Sequence, residues 1–302
     1  GRPANRQTVY GHILIAVDGS DEASRAARHG LALAELFDAT VDVLSVVERR
    51  ALRLARDADE TDRLRERGDA ALTTAAAATA DRGQSVERVR CEGRPATEIA
   101  AAASDRDADL VVVGRRGATG VGDRLLGRVT EGLLGRSPVP VLVVPDAVGA
   151  PAYDQVLLPT DGSTRAEAAT PHAAAIADRA DGAVHVLNVV DLQAAGGLFS
   201  AGGLDQAFVE RLEREGRAAV EHTTAGVHEA APDLPVEEQV VRTESFTGVA
   251  AGLRDYVTDE GIDLVAMGSH GRSNLTRTVL GSVASATLRT VDVPVLVVGR
   301  EL

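Results

Sequence analysis

The sequence predicts an α/β protein of two tandem domains, each with a doubly wound sheet of five parallel strands. Three observations support this prediction: the chain length, an internal repeat, and short apolar runs that alternate with helical patterns. The 302 residues are enough for about two domains. The composition, with 44% hydrophobic and 25% charged residues, is typical of a globular protein.

The repeat appears at the beginning and at the end of each half. An apolar run that ends in Asp-Gly-Ser occupies residues 13–20 and recurs at 156–163, which is 143 residues later. A Pro-Val-Leu-Val-Val run occupies residues 140–144 and recurs at 294–298, which is 154 residues later. The larger second offset indicates a net insertion of 11 residues in the second half.

The glycine-rich stretch 193–203 is the expected position of this insertion. Either it forms a mobile flap over a ligand or it is a plain disordered loop, and the sequence leaves both open. The two domains are therefore predicted at residues 1–146 and 153–302, joined by a linker at 147–152.

Within each half, the apolar runs have the character of strands buried on both faces. The run Leu110–Val113 does not alternate with polar residues, as expected in the interior of a parallel sheet. The longer amphipathic segments between the runs predict helices, two of them at 51–82 and 164–180. Cys91 ends an alternating apolar segment, which predicts a strand residue and not a catalytic or zinc-binding cysteine.

Composition and charge exclude several classes of partner. With a net charge of -13 and only 2% aromatic residues, the chain has neither the basic surface nor the stacking platforms that nucleic acids need. Its apolar runs are too short for a membrane span. Residues 1–7 do not resemble a signal peptide, so we expect a cytoplasmic protein with no membrane partner.

All 32 basic residues are arginine, because the sequence contains no lysine. Together with the abundance of alanine and of acidic residues, this is expected either of a halophilic protein in a salt-rich cytoplasm or of a GC-rich genome. We favour the halophilic interpretation, and the sequence leaves both open.

In open parallel sheets, ligands bind beyond the carboxyl ends of the strands. Asp18 and Asp161 follow the first strand of their halves, and Gly114 and Gly268 follow the fourth. The functional residues of each half are therefore expected around these positions.

In the second half, the fourth strand is followed by a long glycine loop. Gly268 and Gly271 allow a tight turn and a close approach of the backbone to a ligand. Gly281 and Ser282 then begin a helix, whose unpaired N–H groups and positive dipole end suit phosphate. Whether His270 contacts phosphate or solvent is open.

The spacing Gly-x2-Gly-x9-Gly-Ser resembles the ATP-binding motif of the universal stress protein family, and the resemblance extends over both halves as in a tandem two-domain member. It implies an adenine-nucleotide α-hydrolase-like, Rossmann-like fold, a role in stress regulation, and ATP with Mg²⁺ or Mn²⁺ as ligand, without a dedicated protein metal site. The residues that the resemblance places at the nucleotide are Pro159, Asp161, Val189, Met267, Gly268, Gly271, Gly281, Ser282 and Val283.

The first half keeps the glycines of this motif but not its other residues. Arg128 stands where the second half has Ser282, Asp123 enters the loop, and Ala16 replaces Pro159. Either Arg115, Arg116, Arg124 and Arg128 bind an anion, or Arg128 fills the phosphate space. We expect reduced or absent ATP binding here. The corresponding degenerate site consists of Asp18, Val46, Gly114, Gly117, Gly127 and Arg128.

Three functional classes remain, of which an ATP-binding regulatory protein is favoured. The sequence has neither a Walker motif nor a nucleophile elbow, so we expect no dedicated enzyme, although slow ATP hydrolysis stays open. The third class is a dimerisation scaffold that binds no nucleotide. In either case the last strands, at 140–144 and 294–298, are expected to pair the two halves as a pseudo-dimer. A homodimer of whole chains is left open.

Overall fold

The computed structural model describes most of the chain, in six stretches: residues 9–80, 86–117, 126–193, 206–244, 248–271 and 280–299. These residues divide into two compact units, one up to Pro151 and one from Ala152. The predicted insertion at 193–203 lies almost wholly outside the described residues, so the choice between a flap and a plain loop stays a prediction.

The first unit contains a parallel sheet whose strands are ordered β3-β2-β1-β4-β5. Its strands are β1 (His12–Ala16), β2 (Thr40–Glu48), β3 (Val86–Gly93), β4 (Leu110–Gly114) and β5 (Val141–Val144). Its helices are α1 (Asp21–Phe37), α2 (Arg49–Leu54), α3 (Ala58–Ala80), α4 (Pro95–Asp105) and α5 (Arg128–Leu134).

The second unit repeats this arrangement, with a parallel sheet ordered β8-β7-β6-β9-β10. Its strands are β6 (Gln155–Pro159), β7 (Ala183–Asp191), β8 (Val236–Thr243), β9 (Leu264–Gly268) and β10 (Val295–Val298). Its helices are α6 (Thr164–Glu167), α7 (Thr170–Arg179), α8 (Gln206–Ala230), α9 (Val249–Asp259) and α10 (Ser282–Thr290).

The packing confirms the predicted α/β class. Strands β4, β5, β9 and β10 are buried along their whole length, as their valine-rich sequences predict. Within each unit, the two earlier long helices contact each other and the two later helices contact each other, as α1 with α3 and α4 with α5. This grouping is that of a doubly wound sheet. Cys91 lies in β3, as predicted, where burial raises the pKa of its thiol.

The prediction of a single helix at 51–82 is wrong, because the structure has two helices there, α2 and α3, with an interruption between them. Asp57 Oδ1 accepts a hydrogen bond from the Glu60 backbone N–H at 2.8 Å, and Glu60 Oε2 accepts one from the Arg56 N–H at 2.7 Å. These contacts form a new helix start, since the first satisfies an N–H group that a first helical turn leaves unpaired and the second ties the preceding residue to that turn.

The helix predicted at 164–180 is also divided, between α6 and α7. Pro171 lies in the first turn of α7. A proline has no N–H group, so it cannot donate to the carbonyl of Glu167 four residues earlier. The short α6 therefore ends at Glu167. Among the described helices, none combines the length and apolar character needed to cross a membrane.

Candidate functional site

Each unit places an aspartate beyond its first strand by means of the same turn. The backbone N–H and the hydroxyl of Ser163 both donate to Asp161 Oδ1, at 3.0 and 2.6 Å. Ser20 makes the same two hydrogen bonds to Asp18, at the same distances. Each serine Oγ in turn accepts from a backbone N–H of the following helix. The Asp-Gly-Ser repeat is therefore a helix-starting turn as well as a candidate ligand site.

In the second unit, the near end of the glycine loop lies against this turn and the start of α6, and the far end returns to the near end of the loop. A side chain at Gly268 would overlap the Arg165 carbonyl, and one at Gly271 would overlap the Asp161 carboxylate. At the far end of the loop, the Gly281 N–H donates to the Ser269 carbonyl at 2.9 Å. Glycine is needed at position 268 because a Cβ atom there would meet backbone, whereas a Cβ atom at position 271 would require the Asp161 carboxylate to move.

A cavity of about 270 Å³ opens where these segments meet at the carboxyl edge of the second sheet. All nine residues that the sequence analysis assigned to ATP line it. Helix α10 begins at the cavity, and its N-cap residue Gly281 provides no side-chain hydrogen bond to the first turn. The backbone N–H groups there are consequently suited to an anionic ligand.

The cavity has an apolar part and a polar part. Leu187, Val189, Val249, Leu253 and Met267 provide aliphatic surface. The polar part contains the Asp161 carboxylate, the start of α10 and His270, whose Nδ1 lies 3.0 Å from Ser269 Oγ. A lining of this composition suits a ligand that has both an apolar ring system and an anionic group.

Sequence reasoning missed Asn188 and Thr160, which also line the cavity. The Asn188 side-chain amide Nδ2 donates to the Thr160 carbonyl at 2.8 Å. Asn188 is a polar residue between Leu187 and Val189 in the carboxyl-terminal half of β7, and this position was a signal that could have identified it. The remaining lining residues that were not predicted are Ala166, Leu187, Val249, Leu253 and Ala284.

The described degenerate-site residues of the first unit lie at the equivalent edge, but in other surroundings. Arg115 is buried, and both Arg115 and Arg116 form ion pairs with Asp146. Because this carboxylate already neutralises part of their charge, the anion-binding alternative is weakened for these two arginines. Arg128 is exposed at the start of α5. Asp123 and Arg124 lie outside the described residues.

A groove of about 360 Å³ in the first unit lies between α1 and α3 and not at the strand ends. Its wall includes Arg25, Arg28 and Thr74. In neither unit do the described residues contain a group of three or more His, Cys, Asp or Glu side chains placed to hold a metal ion.

Comparison with known proteins connects this geometry to one family. The sequence profile of the Universal stress protein family matches residues 10–145 and again 152–299. A universal stress protein of Mycolicibacterium smegmatis is 32% identical over 306 aligned residues, covering 96% of this chain and 97% of that protein. The universal stress protein MJ0531 of Methanocaldococcus jannaschii is 34% identical over 145 residues, covering 46% of this chain and 85% of that protein.

A crystal structure of a universal stress protein from Archaeoglobus fulgidus superposes with a TM-score of 0.70 and 22% sequence identity. The alignment covers 97% of this chain and 98% of that chain. At this level of identity, the similarity establishes a shared fold.

Proposed function

Since the chain belongs to the universal stress protein family and contains its domain twice, we propose that it is a regulatory protein whose second unit binds ATP. One observation carries this proposal: all nine residues assigned to the nucleotide from the sequence line a single cavity at the carboxyl edge of the second sheet. The two domains of the proposal are 1–146, with the altered loop, and 153–302, with the intact loop.

The chemistry of the cavity fits an adenine nucleotide. The aliphatic side chains around Val189 and Met267 would cover the base, and the Asp161 carboxylate would accept hydrogen bonds from the base or ribose. The Ser282 hydroxyl and the first N–H groups of α10 would hold the phosphates. Mg²⁺ or Mn²⁺ would arrive with the phosphate oxygens, because Asp161 is the one carboxylate among the described lining residues.

The first unit would bind ATP weakly or not at all. It has Arg128 in place of Ser282 and Ala16 in place of Pro159, and its buried Arg115 is paired with Asp146. We therefore propose one nucleotide per chain. A binding role is favoured over catalysis, because the sequence has neither a Walker motif nor a nucleophile elbow. Pairing of the two domains and of whole chains stays a prediction from the sequence.

Equilibrium titration with a fluorescent ATP analogue in molar KCl tests the proposal. We expect saturation at one nucleotide per chain, with displacement by unlabelled ATP. Ser282→Arg introduces the first unit's residue, and its loss of phosphate hydrogen bonds should weaken binding by about tenfold or more. The reciprocal Arg128→Ser is the matched control and should leave the affinity of the second unit unchanged.

Two results would contradict the proposal. Absence of binding at millimolar nucleotide would favour the scaffold class, and saturation at two nucleotides per chain would overturn the assignment to the second unit alone. Competition by GTP and by cyclic AMP defines which base and which phosphate arrangement the cavity accepts. Turnover of ATP that disappears in Ser282→Arg would instead support the slow ATPase.

A further inference from the structure

The glycine loop does not by itself distinguish the two units. Gly117 lies against the Asp18 carboxylate just as Gly271 lies against Asp161. The last glycine of each loop donates its N–H to a backbone carbonyl 2.9 Å away, that of Arg115 or of Ser269. These backbone contacts of the described loop ends are therefore alike, and they do not explain a difference in binding between the units.

The second unit has a chain of hydrogen bonds beneath its cavity. The Thr223 hydroxyl of α8 donates to Thr160 Oγ1 at 2.9 Å, and the same oxygen accepts from the Gly162 N–H at 3.1 Å. The carbonyl of Thr160 accepts from the Asn188 amide at 2.8 Å. Thr160 thus joins α8, β7 and the turn that carries Asp161. We call Thr160, Asn188 and Thr223 the threonine brace.

The first unit has no counterpart of the threonine brace among its described residues. The residue before Asp18 is Val17, and Ser45 occupies the position of Asn188. Gly68 of α3 lies beside Ser45, and Gly216 of α8 lies beside Asn188 in the same way, so the two glycines are equivalent. Ala75 and Thr223 each follow their glycine at the same distance along the helix and are therefore equivalent too. Val17 and Ala75 are buried and have no hydroxyl group. Asp18 is exposed, whereas Asp161 is partly buried.

We propose that Thr223 is a positioning residue for the nucleotide site: acting through Thr160, it fixes the Asp161–Gly162 turn and the adjoining floor of the cavity. Thr223 is itself 2% exposed and does not belong to the described cavity lining, so its effect on a ligand is transmitted by Thr160. The inference rests on the proposed function, since it names a determinant of the same site. It would also account for weaker binding by the first unit, which keeps the loop glycines.

Substitutions in α8 separate this role from a general effect on packing. Thr223→Val removes the hydroxyl and keeps the shape of the side chain, and Thr223→Ser keeps the hydroxyl. Thr224→Val is the matched control, because Thr224 is also buried in α8 but its hydroxyl has no hydrogen-bond partner among the described residues. Affinity for the fluorescent ATP analogue is measured for each full-length variant, together with hydrogen exchange of the Gly162 amide without nucleotide.

We expect Thr223→Val to weaken nucleotide binding by about fivefold to tenfold, the equivalent of one buried hydrogen bond, and to accelerate exchange of the Gly162 amide. Thr223→Ser and Thr224→Val should both stay close to the wild-type protein in both measurements. This pattern would support the brace, since loss of packing alone would affect the two valine variants alike.

If the wild-type protein binds ATP and Thr223→Val binds it equally well, the proposed role of Thr223 is overturned and the proposed function stays intact. The proposed role is also overturned if Thr224→Val weakens binding as much as Thr223→Val. If the wild-type protein binds no nucleotide, the proposed function and the proposed role of Thr223 both fail. An unchanged exchange rate of the Gly162 amide in Thr223→Val would show that the hydrogen-bond chain does not hold the turn.

Discussion

Gly271 and Gly117 show how a single residue type can serve the same backbone geometry in two different sites. In each unit, the glycine leaves room for the carboxylate that follows the first strand. The surroundings then diverge, because His270 precedes Gly271 at the cavity, whereas Arg116 precedes Gly117 and pairs with Asp146. In both units the glycine leaves room for the aspartate carboxylate, and we propose that only Gly271 also contacts a ligand.

This duplication provides an internal control for a substitution at the site. A Cβ atom in Gly271→Ala would displace the Asp161 carboxylate, so we expect ATP affinity to fall by about tenfold or more and the protein to lose about 1–3 kcal/mol of stability. Gly117→Ala creates the same overlap with Asp18 and should cost comparable stability. The ATP affinity of the Gly117→Ala variant should equal that of the wild-type protein. Isothermal titration and denaturant unfolding provide the two measurements, and equal loss of affinity in both variants would contradict the assignment of the site.

Among the elements, α1 contains the buried His29 and α7 contains the partly buried His172. His29 and His172 lie 143 residues apart, at equivalent positions of the repeat. Burial lowers the pKa of each imidazole from 6.5 to about 4. For His29 a backbone hydrogen bond to Gly149 opposes the shift and the nearby Arg28 adds to it. Both helices therefore pack against their surroundings with a neutral histidine.

The sign of the resulting pH dependence follows from proton binding. Between about pH 6.5 and 4, the unfolded chain binds more protons at these two positions than the folded chain does. The stability contributed by the neutral histidines is therefore complete above about pH 6.5 and is lost as the pH falls toward 4. We expect the double variant His29→Gln with His172→Gln to show a smaller decrease in unfolding free energy between pH 7 and pH 5 than the wild-type protein.

Urea unfolding at constant ionic strength measures this difference. His228→Gln is the control, since His228 is exposed at the end of α8, and it should retain the wild-type pH dependence. An unchanged pH dependence in the double variant would show that the two helices do not depend on neutral histidines.

For the molecule as a whole, the dominant electrostatic property is a net charge of -13. Self-repulsion of that charge opposes compact folding, and screening by salt reduces the repulsion over distances beyond a few ångströms. We expect the thermal unfolding midpoint to rise between low-salt buffer and molar KCl. A midpoint that stays constant would remove the halophilic interpretation and leave nucleotide composition of the genome as the reason for the missing lysines.

The sequence by itself determined the repeat, the α/β class and the positions of the aspartates and glycines at the strand ends. These features depend on local rules, because a buried strand, a helix start or a tight turn is specified by residues close together in the chain. The same rules, applied over too long a window, overlooked the helix starts at Asp57 and near Pro171.

Tertiary structure alone decided which polar groups meet. Thr223 reaches Thr160 across 63 residues of chain, and Arg115 reaches Asp146 across 31. Such pairings depend on which face of a helix or loop packs against the sheet. No local pattern in the sequence encodes a contact between residues so far apart in the chain. The repeat thus supplied two similar frameworks, while packing gave the second one a hydrogen-bonded Thr160 in its cavity lining and the first one a partly buried ion pair.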